Sequence, residues 1–281
     1  MQEILQQRKS RFERDFLSLL RSTSLKSAPA GLREATEYAL SGSNKRLRPV
    51  LVLEASRLAG LPEPRALLVA AAFECLHSYS LVHDDLPAMD DDDLRRGQPS
   101  CHKKYGEATA ILVGDLLQSL SFELLARAQM PAIALQYFAR AVGAQGMVSG
   151  QFIDMQADTE NTRKLHRLKT GKLIESAITL PYLARGEKLS LRVVRWGRGL
   201  GLLFQITDDL LDATADSATL GKTAGKDAEQ HKKTFVAQLG LEETKAQAQQ
   251  IAARLEDSAK EIFPASELFR ALPAYLLNRR N

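Results

Sequence analysis

The sequence predicts an all-α fold, and three observations lead there. Leucine (45 residues) and alanine (37) dominate the apolar set, whereas valine and isoleucine together number only 19. Straight-chain side chains keep most of their rotamer freedom on a helix, while β-branched ones suit a pleated surface. Apolar residues also recur at helical spacing, as in Ile4, Phe12, Phe16, Leu17, Leu19 and Leu20, rather than in strict alternation. Finally, the punctuation suits helix ends: Pro49 fits a first turn, and Gly60 and Gly186 each follow an apolar run.

Taken in order, the pattern predicts helices over residues 3–20, 31–41, 48–59, 63–84, 108–128, 133–153, 165–185, 191–212, 242–260 and 265–277. Residues 22–31, rich in Ser, Lys and Pro, read as a loop. With 281 residues, 44% hydrophobic and 26% charged, the chain can build a substantial core. Neither an internal repeat nor a linker divides it, so a single α-helical domain over residues 1–281 is expected.

The formal charge of +4 is mild, and aromatics at 6% form no basic–aromatic stretch, which argues against nucleic acid as a partner. Cys75 and Cys101 give neither a disulfide framework nor a metal-binding spacing, so a reducing compartment is expected. Met1-Gln2-Glu3-Ile4-Leu5 lacks the profile of a secretory signal, and the longest uninterrupted apolar run, 66–73, is too short to span a bilayer. The expectation is a soluble cytoplasmic protein with no stable membrane anchor.

One segment stands out. From Asp84 to Asp93 there are six carboxylates in ten residues, Asp84, Asp85 and Asp90 to Asp93, directly after an apolar helical run. Carboxylates at a helix C-terminus face the negative end of the macrodipole, and Pro87 ends the helix here by restricting Leu86. Arg95 and Arg96 compensate only in part. A hard divalent cation would complete the neutralisation, and Mg²⁺ commonly combines one or two carboxylates with substrate phosphates. A second cluster, Asp208-Asp209-Leu210-Leu211-Asp212, ends another apolar run and places Asp208 and Asp212 on one helical face. Two such clusters suggest a shared metal-holding cavity. Neither has the spacing of an EF-hand.

Cations suited to phosphate accompany the carboxylates. Lys45 and Arg48 lie three apart at a helical start, Lys169-Thr170 lies between the clusters, and Lys222 and Lys232 follow the second. Singly, each would be an ordinary solvated cation; their weight comes from the set.

Together these segments resemble the trans-isoprenyl diphosphate synthases. Residues His83 to Gly97 are similar to the family's first aspartate-rich motif and Asp208 to Asp212 to its second, with the likeness strongest to the bacterial farnesyl diphosphate synthases (geranyltranstransferases). The resemblance runs from about residue 30 to the C-terminus. It implies a bundle of about ten or more helices around a central cavity, a homodimer, and small-molecule diphosphate substrates joined head to tail. By this resemblance Asp84, Asp85, Asp90, Asp208 and Asp212 hold Mg²⁺, three ions with bound diphosphate. Arg95, Lys169, Thr170, Gln205, Lys222 and Lys232 meet the allylic diphosphate, and Lys45, Arg48, His77 and Arg96 hold isopentenyl diphosphate. Asp209 joins Asp84, Asp85, Asp90, Asp208, Lys169, Thr170 and Gln205 as a catalytic candidate. His77 precedes Asp84 by seven residues, two helical turns, and so shares its face.

Tyr79 and Ser80 lie five and four residues before Asp84; an aromatic there, with Pro87-Ala88 inside the motif, goes with farnesyl-length products in the family. Geranyl or geranylgeranyl products are the alternatives, and a class I terpene cyclase a more distant one, since a cyclase has no need of a second basic pocket. One departure is Ser43-Asn44, where the family carries Gly-Gly before Lys45-Arg46-Leu47-Arg48-Pro49. Asn tolerates positive φ better than Ser does, so the isopentenyl diphosphate loop is the place to expect a shift.

Overall fold

A computed structural model describes residues 1–42, 45–156, 162–214 and 234–279. The chain divides into two compact units, residues 5–131 and residues 1–4 with 132–281.

In the first unit, Phe12, Phe16 and Leu20 recur every four residues and form the buried stripe of α1 (Gln2–Arg21). A short 3₁₀ turn, Ser24–Ser27, capped by the Thr23 hydroxyl, lies inside the stretch expected to be loop. Then come α2 (Ala30–Leu40), α3 (Leu47–Leu58) and α4 (Glu63–Asp84). The run from Val69 to Leu76, small or apolar but for Glu74, buries α4 nearly all round, packed against α3 and α6 (Glu107–Arg127). Both α4 and α6 are long and apolar enough to cross a membrane by length and composition. Most of α4 is buried within the protein, as in a core helix. The run 66–73 alone understates this because polar residues punctuate the helix. A two-residue hairpin, β1 (Leu94–Arg95) with β2 (Gln98–Pro99), and the one-turn α5 (Cys101–Tyr105) escape sequence reading because neither is long enough to show a period.

The second unit holds α7 (Ala132–Val142), α8 (Met147–Asp154), α9 (Thr162–His166), α10 (Lys172–Ala184) and α11 (Leu191–Thr214), followed by α12 (Phe235–Leu239), α13 (Leu241–Ile262) and α14 (Glu267–Asn278). The helix expected over 133–153 is in fact two. It breaks at Gly143–Gly146, where a Cβ on Gly146 would lie only 1.7 Å from the Ala141 carbonyl oxygen. Likewise the helix expected over 165–185 opens into a π turn at Arg167–Gly171. Trp196, Phe263 and Phe269 pack with ring centroids 4.8–5.2 Å apart, and Trp196 Nε1 donates to the Leu255 carbonyl at 2.9 Å, joining α11, α13 and α14.

Candidate active site

The first acidic motif closes α4. Asp84 and Asp85 are buried and Asp90 half-buried, while Asp91 and Asp93 are exposed. Beyond the helix the chain folds back, and the Asp90, Asp92 and Asp91 N–H groups donate to the carbonyls of Asp84 (2.8 Å), Asp85 (3.2 Å) and Leu86 (3.1 Å). Asp91 takes a left-handed φ of 48° to make this turn. The motif thereby satisfies the carbonyls that its own helix leaves open.

Arg95 answers the accumulation of charge. Its Nε donates to Asp85 Oδ1 at 2.8 Å and Oδ2 at 3.1 Å, and its Nη2 bonds both Asp85 and, at 3.1 Å, Asp92. Burial works against the charged guanidinium, but these carboxylates outweigh it and hold Arg95 above its ordinary value. Arg96 behaves differently. It sits with Gly97 at the hairpin turn, both at positive φ (57° and 77°), the geometry of a tight two-residue turn. It is half-buried with no ion pair among the described residues, and burial pushes its pKa down, Glu74 opposing.

His77 is surrounded by the same charges. Burial and then the nearby Arg48, Arg96, Arg95 and Arg46 push its pKa well below the usual histidine range, so it is neutral at pH 7. Lys45 is exposed and Arg48 half-buried. Between them Arg46 turns inward, bonding Glu74. Of the three cations in the motif, Arg46 is therefore the one drawn into the core. Tyr79 is buried, its ring edge-on to His83 at 5.0 Å, and Ser80 Oγ donates to the His77 carbonyl at 2.8 Å. Ser43-Asn44 lies outside the described residues.

In the second unit, α11 sorts its aspartates by helical periodicity. Asp208 is half-buried, Asp212 exposed, and Asp209 buried. Asp209 Oδ1 accepts from Gln205 Nε2 at 2.9 Å and Oδ2 from the Phe235 N–H at 2.7 Å. Burial pushes its pKa up to about 6, the two hydrogen bonds opposing and Asp208 and Asp212 adding to the rise. Its carboxylate thus ties α11 to α12 rather than joining Asp208 and Asp212. Gln205 Oε1 accepts from Thr170 Oγ1 at 3.1 Å, which brings together two residues that the sequence only suggests are related. Lys169 lies in the π turn, its Nζ 2.5 Å from Asp154 Oδ2. Gly150 makes room for that turn, because a Cβ there would sit 2.2 Å from the Lys169 nitrogen.

Nothing in the sequence points to Arg279. Its Nη2 donates to Asp208 Oδ1 at 2.5 Å, Thr207 Oγ1 at 2.8 Å and the Phe204 carbonyl at 3.1 Å, with the guanidinium carbon 4.4 Å from the Phe204 ring centroid. Lys222 and Lys232 lie outside the described residues.

Within the first unit Asp84 and Asp90, and within the second Asp208 and Asp212, carry hard carboxylate oxygens, the donors that suit Mg²⁺. Asp91, Asp93 and His102 also bring one donor atom each within 4.8 Å. Their mixed imidazole and carboxylate set departs from the all-oxygen preference of that ion.

The polyprenyl synthetase family model matches residues 29–271. The chain belongs to the polyprenyl synthetase family. It is 41% identical to the farnesyl diphosphate synthase of Escherichia coli over 264 residues, 88% of each chain. It is also 41% identical over 276 residues to the chloroplastic geranylgeranyl pyrophosphate synthase 7 of Arabidopsis thaliana, covering 90% of this chain and 78% of that one. Among solved structures, a geranyltransferase from Helicobacter pylori complexed with magnesium and isoprenyl diphosphate superposes with a TM-score of 0.80 at 32% identity, covering 98% of this chain and 96% of that one. As a polyprenyl synthetase the chain has the all-α isoprenoid synthase fold.

Proposed function

We propose that this polyprenyl synthetase is a farnesyl diphosphate synthase, joining isopentenyl diphosphate head to tail first with dimethylallyl diphosphate and then with geranyl diphosphate. The observation that carries the reading is the separate provision for two diphosphates. One is a cationic set around a neutral histidine (Arg48, Arg96 and His77, with Lys45 exposed nearby), and the other is a pair of acidic motifs suited to metal-bound diphosphate. A terpene cyclase, with one diphosphate substrate, has no use for the first set.

In this reaction the allylic C–O bond breaks and its electron pair leaves with diphosphate. The isopentenyl double bond supplies the pair for the new C–C bond, and a proton is then lost to restore an alkene. No protein nucleophile is needed. Asp84, Asp90, Asp208 and Asp212 would hold Mg²⁺, which when bound neutralises the departing diphosphate. Lys169 adds a fixed positive charge, while Thr170 and Gln205 present oxygens that favour a neighbouring carbocation. Arg48, Arg96 and Lys45 bind the second diphosphate, and His77 contributes as a neutral hydrogen-bonding group. Residues 1–281 act as one synthetase domain. The enzyme works in the cytoplasm as a homodimer with three Mg²⁺ ions per site. Ile111 and Leu112, exposed side by side on α6, supply an apolar face for the second copy.

The test is condensation of labelled isopentenyl diphosphate with dimethylallyl or geranyl diphosphate in Mg²⁺. A C15 alcohol after phosphatase treatment, abolished by EDTA, is expected; absence of condensation with either allylic substrate overturns the reading. A second reading, C20 product, is favoured by the equal identity to the plant geranylgeranyl synthase and by the small Ser80 beside Tyr79. Tyr79→Ala decides the floor: chromatography should show products at least one isoprene unit longer, and an unchanged product moves the floor to another residue.

A further inference from the structure

We infer that Arg46 and Glu74 form a positioning pair that shapes the isopentenyl diphosphate pocket from inside the core. This rests on the functional reading above. Arg46 lies between Lys45 and Arg48, and its side chain is 95% buried. Its Nη1 bonds Glu74, its Nη2 donates to the Leu40 carbonyl at 2.7 Å, and its Nε reaches Glu13 at 3.4 Å. The guanidinium carbon lies 5.2 Å from the Phe16 ring centroid. Four elements thus meet at one side chain: α1 through Glu13 and Phe16, α2 through its last residue, α3 through Arg46 itself as N-cap, and α4 through Glu74.

The pair has a cost that function would explain. Arg46 holds a left-handed φ of 50°, a conformation uncommon for a residue with a long side chain. Glu74 is 1% exposed, and burying a carboxylate is tolerated only when it is paired. What this secures is location. Lys45 and Arg48 lie one and two residues from Arg46, and His77 lies about one helical turn beyond Glu74, so one contact fixes this segment relative to the histidine. Glu74 also acts on Arg96, opposing the downward shift of its pKa. The bonded partner of that carboxylate is the core guanidinium of Arg46. Arg46 is thus the structural support of the two neighbouring cations, Lys45 and Arg48.

The test is a substrate-resolved kinetic comparison of Arg46→Gln, Arg46→Lys and Glu74→Gln with the unaltered enzyme, each checked for native helicity by circular dichroism. Arg46→Gln should raise KM for isopentenyl diphosphate about tenfold or more while KM for the allylic substrate stays within about twofold. Arg46→Lys should recover part of that loss, since lysine restores the charge without the three-way fork. Glu74→Gln should shift the same KM in the same direction. Equilibrium dialysis with labelled isopentenyl diphosphate, without metal, should show parallel weakening. Equal changes in both KM values, or no selective change in any folded variant, would overturn the inference. Should Arg46→Gln fail to fold, Arg46→Lys and Glu74→Gln still decide it. Failure of the unaltered enzyme to bind or turn over isopentenyl diphosphate would instead overturn the functional reading, and the inference with it.

Discussion

The two acidic motifs solve the same electrostatic problem by different means. In the first, the backbone does the work. The chain leaves α4, folds back and caps the carbonyls of Asp84, Asp85 and Leu86 with its own N–H groups, and Arg95 neutralises Asp85. In the second, the helix continues through the motif, and periodicity sorts the carboxylates. Asp209 goes inward to Gln205 and the Phe235 N–H, while Asp212 goes outward. Arg279, remote in sequence, pairs with Asp208. A capped loop makes the first motif depend on local chain geometry, whereas the second depends on contacts between α11 and its neighbours. Both arrangements lead to one division of labour, in which one carboxylate (Asp85 or Asp209) is committed to structure and others (Asp90, Asp212) remain accessible.

Removing a candidate metal donor from either motif should have the largest effect. Asp84→Ala and Asp208→Ala are each expected to cut turnover by about a hundredfold or more with helicity retained, since a lost metal ligand removes several kcal/mol of charge stabilisation. Near-normal turnover in only one of them would show that the motifs are not equivalent. Next comes the contrast between neighbouring arginines. Arg95→Gln leaves Asp85 buried without its partner and should destabilise the fold by about 3–5 kcal/mol. Arg96→Gln should leave the melting temperature nearly unchanged and raise KM for isopentenyl diphosphate. Denaturant titration and steady-state kinetics on the two variants check this, and an equal loss of stability in both would erase the distinction.

A smaller effect tests the second unit. Gly150→Ala forces a Cβ against the Lys169 backbone and should cost about 1–3 kcal/mol, with kcat falling because Lys169 is displaced. A variant with unaltered stability and kcat would show that the π turn yields freely. The smallest effect concerns pH. His77 has a folded-state pKa well below its unfolded value of about 6.5, through burial and the arginines around it. The unfolded chain therefore binds the proton more readily, and stability falls as pH drops below about 6.5. His77→Gln should flatten that decline in thermal melts between pH 7.5 and 5; an unchanged slope would assign it to other groups.

The origins of these features differ in how visible they are in the chain. Most helices were legible because their apolar faces repeat over several turns, and 63–84 matches α4 end to end. The break at Gly143–Gly146 and the π turn were not, since both arise where backbones approach closely and neither alters the apolar period. Among site residues, the aspartates and the Lys45, Arg48 and Arg96 set stand out by local density. Arg46 and Arg279 carry no such signal, because their partners Glu74 and Asp208 lie 28 and 71 residues away.

By itself, then, the sequence determined the helical class, the placement of most helices, the two carboxylate clusters and the chemistry they suit. These follow from composition, periodicity and short-range spacing, which act within a few residues. Only the tertiary structure decided which charges are spent in the core and which stay available. Pairing Arg46 with Glu74, Arg95 with Asp85 and Asp209 with α12 depends on burial. Whether a charge is buried is set by elements packed together from distant parts of the chain, where desolvation makes an unpaired charge too costly to keep.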